Sequence, residues 1–253
     1  MSAIWVIANT EFRRMFLSPL AWSILAVVQF ILAWMFLLGV NEYSLQTQSM
    51  AVGAEDVAGI SEAMIPFLFS TAASIMLVVT PLITMRLFAE ERMNQTLTLL
   101  TSAPLSNTQI VLGKYLSVLG FVLLFVGLVA LMPVSLAFTT SLDWGQLAAA
   151  VLGLVLLLAA FSAVGLFLSS LARQPVIAAV TTFGFLLLLD VLYQSGNAQG
   201  SASELFVYLS AFGHFLSFAK GMFDSSDLVY YLLFIVGFLI LTIRKLDNDR
   251  LQG

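Results

Sequence analysis

Six separate stretches of this chain, 20–40, 66–85, 115–138, 147–171, 176–192 and 228–243, are apolar over a length at or near that of a membrane-crossing helix. A helix rising about 1.5 Å per residue needs about 20 such residues to cross roughly 30 Å of hydrocarbon. Only 9% of the residues are charged, against about 25% in a soluble domain, so the chain lacks the polar coat that would cover six such segments in water. Inside hydrocarbon each segment of this length must satisfy its own backbone amides, which selects helices. The sequence therefore predicts an all-α polytopic membrane protein: six transmembrane helices forming one domain, 1–253.

An even number of spans leaves both ends on one side, and the basic residues say which. Arg13, Arg14, Arg86, Arg92, Lys114, Arg173, Arg244, Lys245 and Arg250 fall on the face that holds the termini, and Lys220 falls opposite. Lysine and arginine are retained in the cytoplasm, so that face is assigned to the cytoplasm. The net charge of −4 arises mainly on the other face, at Glu42, Glu55, Asp56, Glu62, Asp143, Glu204, Asp224 and Asp227.

Several kinds of chemistry drop out. The chain has no cysteine and one histidine, His214, which removes disulfides, thiol redox chemistry and clustered imidazole ligands; no metal site and no catalytic constellation is expected. No clustered basic face is present for nucleic acid. Gly113-Lys114 is followed by Tyr115 and preceded by Thr108 where a phosphate-binding loop requires glycine, so nucleotide is not bound by that motif. Gly196 to Gly200 has a helix-dimerisation spacing but lies among polar residues, where it reads as a turn. Arg13-Arg14-Met15-Phe16-Leu17 resembles a twin-arginine export signal, yet a long apolar span and five more follow it with no cleavage site. Asp190 is the one charge placed inside a span; near its outer end it reads either as a solvated, hydrogen-bonded carboxylate or as a substrate-path or gating group.

Three pieces lie outside the spans. In 1–19, Ile4, Trp5, Ile7, Ala8, Phe12, Met15 and Phe16 recur near a helical period, predicting an amphipathic interfacial helix. In 86–114, Arg86 and Glu90 stand four apart and are placed to pair across a turn. There the second span is expected to continue as a helix, break at Ser102-Ala103-Pro104 and restart at a Ser106-Asn107-Thr108-Gln109 capping box. In 195–227, Phe206, Tyr208, Phe212, Phe215 and Phe218 are too apolar for a loop in water and predict re-entrant or interfacial helices packed on the bundle. By composition His214 reads as a packed, hydrogen-bonded residue, Asp224 and Asp227 as an acidic start to the last helix with Lys220 offsetting their charge, and Tyr230 and Tyr231 as headgroup-level anchors.

Two stretches carry a resemblance. Glu90-Glu91-Arg92-Met93-Asn94-Gln95-Thr96 through Ala103-Pro104-Leu105-Ser106 to Gly113-Lys114-Tyr115 resembles the motif after the second span in permease subunits of type-2 ABC exporters. Phe212-Gly213-His214-Phe215, Lys220-Gly221 and 224–231 resemble the gliding-motility and nitrous-oxide-cluster branch of that superfamily. The resemblance implies a multi-pass protein of the bacterial cytoplasmic (inner) membrane. It implies a homodimer in the lipid bilayer, each subunit docked on a separate ATP-binding cassette ATPase that holds ATP and Mg, with no cofactor in this chain. It implies ATPase coupling through Glu90, Glu91, Arg92, Thr96, Leu97, Leu100, Pro104, Ser106 and Lys114. It also implies an extracytoplasmic gate or partner surface at His214, Phe215, Lys220, Asp224 and Asp227. The permease would export or extract substrate; the alternative is a membrane scaffold whose ATPase drives a mechanical or assembly task.

Overall fold

A computed structural model describes residues 3–50, 59–96, 105–137, 142–196 and 210–252. Among them the chain forms α1 (Ala3–Leu17), α2 (Pro19–Met50), α3 (Ile60–Thr84), α4 (Arg86–Met93), α5 (Asn107–Leu136), α6 (Trp144–Leu171), α7 (Pro175–Gly196), α8 (Ala211–Ala219) and α9 (Ser225–Gln252). Six helices among the described residues are long and apolar enough to cross a membrane: α2, α3 with α4, α5, α6, α7 and α9. The all-α six-span architecture is as the sequence predicts. The last helix departs from it, since it runs on well past the apolar part to Gln252.

The helix starts follow local chemistry. Pro19 and Pro175 open α2 and α7, where a missing amide costs nothing. At α5 the predicted capping box is formed: Ser106 accepts from the Gln109 amide, and the Gln109 side chain accepts from the Ser106 amide. Asp143 accepts from the amides of Gly145 and Gln146 at the start of α6. The helix α4 ends in a Schellman motif. Gln95, at φ 56°, takes the left-handed position usually given to glycine, while the amides of Gln95 and Thr96 bond back to the carbonyls of Arg92 and Glu91.

The core is organised around α6, which packs on α3, α4, α5, α7, α8 and α9. Helices in lipid gain little from hydrophobic burial against one another and associate through close packing, which small residues permit. Gly165 is such a position: a Cβ there would lie 2.1 Å from Thr84 Oγ1, so α3 touches the α6 backbone. Gly153 does the same for Phe218 of α8, at 2.4 Å. Conversely, α2, α7 and α9 carry Phe30, Trp34, Val180 and Leu233 exposed on their outward sides, which suits contact with lipid.

Candidate functional site

The end of the bundle that carries both termini holds a charged network built on α4. Three successive residues of that helix each bind a different element. Glu90 pairs with Arg14 of α1 at 3.5 Å, Glu91 with Lys114 of α5 at 2.6 Å, and Arg92 with Asp249 of α9. Lys114 also reaches Glu11 of α1 at 2.9 Å, and its Nζ lies 5.2 Å from the centre of the Phe88 ring. Lys114 is 1% exposed and Glu91 9%, so both are internal. A buried lysine is tolerated only with such partners, because an unpaired buried charge is strongly destabilising. Beside this cluster Lys245 bonds Asp249 at 2.6 Å, and Asn107 donates to Asp247 at 2.6 Å, so the tail of α9 clasps both sides of the gap between α4 and α5.

This corrects two expectations. Glu90 pairs with Arg14 and not with Arg86, because α1 brings its guanidinium closer than the same-helix arginine. Glu91 and Lys114 do not present a surface; they form a brace inside it, whereas Ser106 is exposed and Thr96 caps α4. Leu97, Leu100 and Pro104 lie outside the described residues, as does the predicted break at 102–104. Gly113, read above as an incomplete phosphate-loop glycine, sits within α5, with Ile7 of α1 close against its backbone.

Sequence reasoning passed over Glu11, Asn107, Asp247 and Asp249. The periodicity of α1 places Glu11 one turn from Ile7, which seats on Gly113. Lys245 and Asp249, four apart, were a legible helical pair. Their contact with α4, by contrast, is visible only in three dimensions.

At the opposite end α8 folds back onto α6, as expected of the aromatic segment, with Phe215 and Phe218 fully buried. Phe206 and Tyr208 fall outside the described residues. His214 Nδ1 lies 2.6 Å from Asp227 Oδ1, and its ring stacks on Tyr230 with centroids 4.2 Å apart. Tyr231 is buried and donates to the carbonyl of Ala211 at 2.5 Å. The two tyrosines therefore pin α8 to α9. Asp224 accepts from the Ser226 amide at 2.9 Å and caps α9, and those hydrogen bonds hold its carboxyl below the usual range. Among the described residues no ion pair joins Lys220 to Asp224 or Asp227, and it lines a cavity of about 420 Å³ with Glu62, Asp143 and Gln146. Asp190 accepts from the side chain of Gln194 at 2.9 Å, an exposed contact within α7. Among the described residues no group of three or more His, Asp or Glu side chains is placed to hold a metal ion.

A six-span bundle with a charged brace at one end and a packed aromatic helix at the other defines a multi-pass membrane protein. Residues 5–242 match the family of ABC-2 family transporter proteins, and the chain belongs to that family. It is a permease component of an ABC transporter. No curated protein matches it significantly.

Proposed function

We propose that the chain is the permease subunit of a type-2 exporter in the inner membrane. Both termini are cytoplasmic, and a separate ATP-binding cassette ATPase docks on the surface formed by α4, the segment after it and the start of α5. The observation that carries this reading is the triple attachment of α4 to α1, α5 and α9 through Glu90, Glu91 and Arg92. A helix held to the first helix, the third span and the last span is suited to pass a displacement from a cytosolic partner into the bundle. The basic residues supply the orientation. The exposed apolar sides of α2, α7 and α9 offer lipid contact together with room for a second copy of the chain. The outer helix α8, held by His214 and Asp227, closes the far end as a gate or as a seat for an extracytoplasmic partner.

The test is to purify the tagged chain from host membranes. A cassette ATPase should co-purify in equal amount, identified by its own phosphate-binding loop, and the complex should hydrolyse ATP. Arg92→Glu should leave the chain in the membrane and remove the ATPase or uncouple its hydrolysis. A purified chain free of any cassette ATPase would overturn the proposal.

A further inference from the structure

A cavity of about 220 Å³ lies between α1, the start of α2 and the junction of α3 with α4, and its lining mixes apolar and charged side chains. Leu82, Ile83 and Phe121 are among the apolar side chains that line it. Arg14 and Arg86 line it as well, Arg86 one helical turn after Leu82 along the chain. Apolar side chains beside two guanidiniums suit an amphiphile with an anionic phosphodiester, provided the two carboxylates of the lining are already engaged.

The ion pairs sharpen the match. Two carboxylates, Glu11 and Glu90, also face the cavity, but each is engaged, by Lys114 at 2.9 Å and by Arg14 at 3.5 Å. Arg86 is exposed and has no ion pair or hydrogen bond among the described residues. Arg14 spends only one long contact on Glu90. A guanidinium offers five N–H donors in a fork suited to phosphate, and those of Arg86 are unspent. We infer that the cavity binds a phospholipid from the leaflet on the side of the termini, its phosphodiester held by Arg86 and Arg14 and its glycerol end against Leu82, Ile83 and Phe121. The volume suits a headgroup, and the acyl chains continue outward over Leu82, which is exposed. Such a lipid would sit between α1 and α4, beside the Arg14–Glu90 pair. The inference requires a membrane-embedded chain but does not depend on the ATPase docking proposed above.

Native mass spectrometry of the purified, delipidated protein, titrated with phosphatidylglycerol, tests it. One saturable lipid per chain is expected. Arg86→Gln should weaken its binding about tenfold, the loss of a charge-assisted hydrogen bond, and Arg86→Lys should restore most of it. Leu82→Trp, which fills space among the apolar side chains and leaves every charge in place, should weaken binding comparably. Phosphatidylethanolamine should compete, because it shares the phosphodiester. Diacylglycerol, which lacks it, and inorganic phosphate, which lacks the chains, should not. Because Arg86 is exposed and unpaired, its substitution spares the fold. Unchanged affinity in folded Arg86→Gln would overturn the proposal, as would equal competition by diacylglycerol. Displacement of the lipid by inorganic phosphate would make the cavity a free-anion site and would overturn it too.

Discussion

The hydroxyl of Ser169, on α6, caps α4 from a neighbouring helix: it accepts from the amides of Phe88 and Ala89 at 3.1 and 3.2 Å and donates to the carbonyl of Met85 at 3.0 Å. Met85, where α3 gives way to α4, supplies no side-chain cap of its own. One residue turn away, Gly165 admits Thr84. Ser169→Ala is expected to cost about 0.5–2 kcal/mol, the usual loss of a helix cap, read as a lower thermal midpoint in detergent. Gly165→Ala should cost about 1–3 kcal/mol through overpacking against Thr84. A Ser169→Ala protein that melts with the wild type would show that α4 needs no cap from α6.

Lys114 answers to two carboxylates. Lys114→Met leaves Glu91 buried and unpaired, and a loss of about 3–5 kcal/mol is expected. Adding Glu91→Met should recover a large part of it, since an apolar pair of similar size removes the stranded charge. Thermal unfolding of the single and double variants decides. No recovery in the double variant would mean that the ion pair is not the source of the loss.

The clasp between α4 and α9 is testable by exchange. Arg92→Asp or Asp249→Arg alone should impair ATPase binding or coupling with the chain still inserted, and the two together, with Lys245→Gln to remove the other partner of Asp249, should restore it. The partly buried pair is worth about 0–1 kcal/mol of stability at most if it behaves as a surface pair, so yield should change little. If the exchange variant stays as impaired as the single ones, the contact is not what Arg92 contributes.

At the far end, His214→Gln and Asp227→Asn, each of which keeps a hydrogen-bonding side chain at its position, should lower activity while sparing the amount of assembled complex. Phe215→Ala should reduce that amount as well, by about 3–5 kcal/mol of stability, because its side chain is fully buried. Complex yield measured beside activity for the three variants separates gating from packing. A collapse in yield for His214→Gln would make the dyad a packing contact only.

Topology can be read without background, since the chain has no cysteine. Cysteines at Thr108, which is exposed beside the buried Asn107, and at Gln252 should be labelled from the cytoplasm, and one at the exposed Met222 only from outside. Labelling of Met222 and Thr108 from one side would remove the proposed orientation.

The spans were legible because a bilayer imposes one length and one composition, and local rules carried further detail, down to the capping box at Ser106. The aromatic segment was legible for the same reason: Phe215 and Phe218 had to be covered by something. The site was less so. Arg86 and Glu90 have ideal spacing for a pair, but spacing within one helix cannot weigh a competitor such as Arg14 arriving from another. The polar tail of α9 has no apolar periodicity to announce it, so Asp247 and Asp249 became visible only once α9 was seen lying beside α4 and α5.

Glu90, Glu91 and Arg92 follow one another on a helix that turns about 100° per residue, so their side chains leave α4 like three spokes from a shaft. A shaft with three spokes fixed to separate walls cannot spin freely. Rotation of α4 about its own axis would strain all three attachments at once, whereas a tilt about Met85, the junction where Ser169 grips it, can carry them along together. The same geometry makes the two ends of the polypeptide mechanical neighbours. A bulky fusion at either terminus would load the same short helix, one through Glu11 and Arg14 and the other through Asp249.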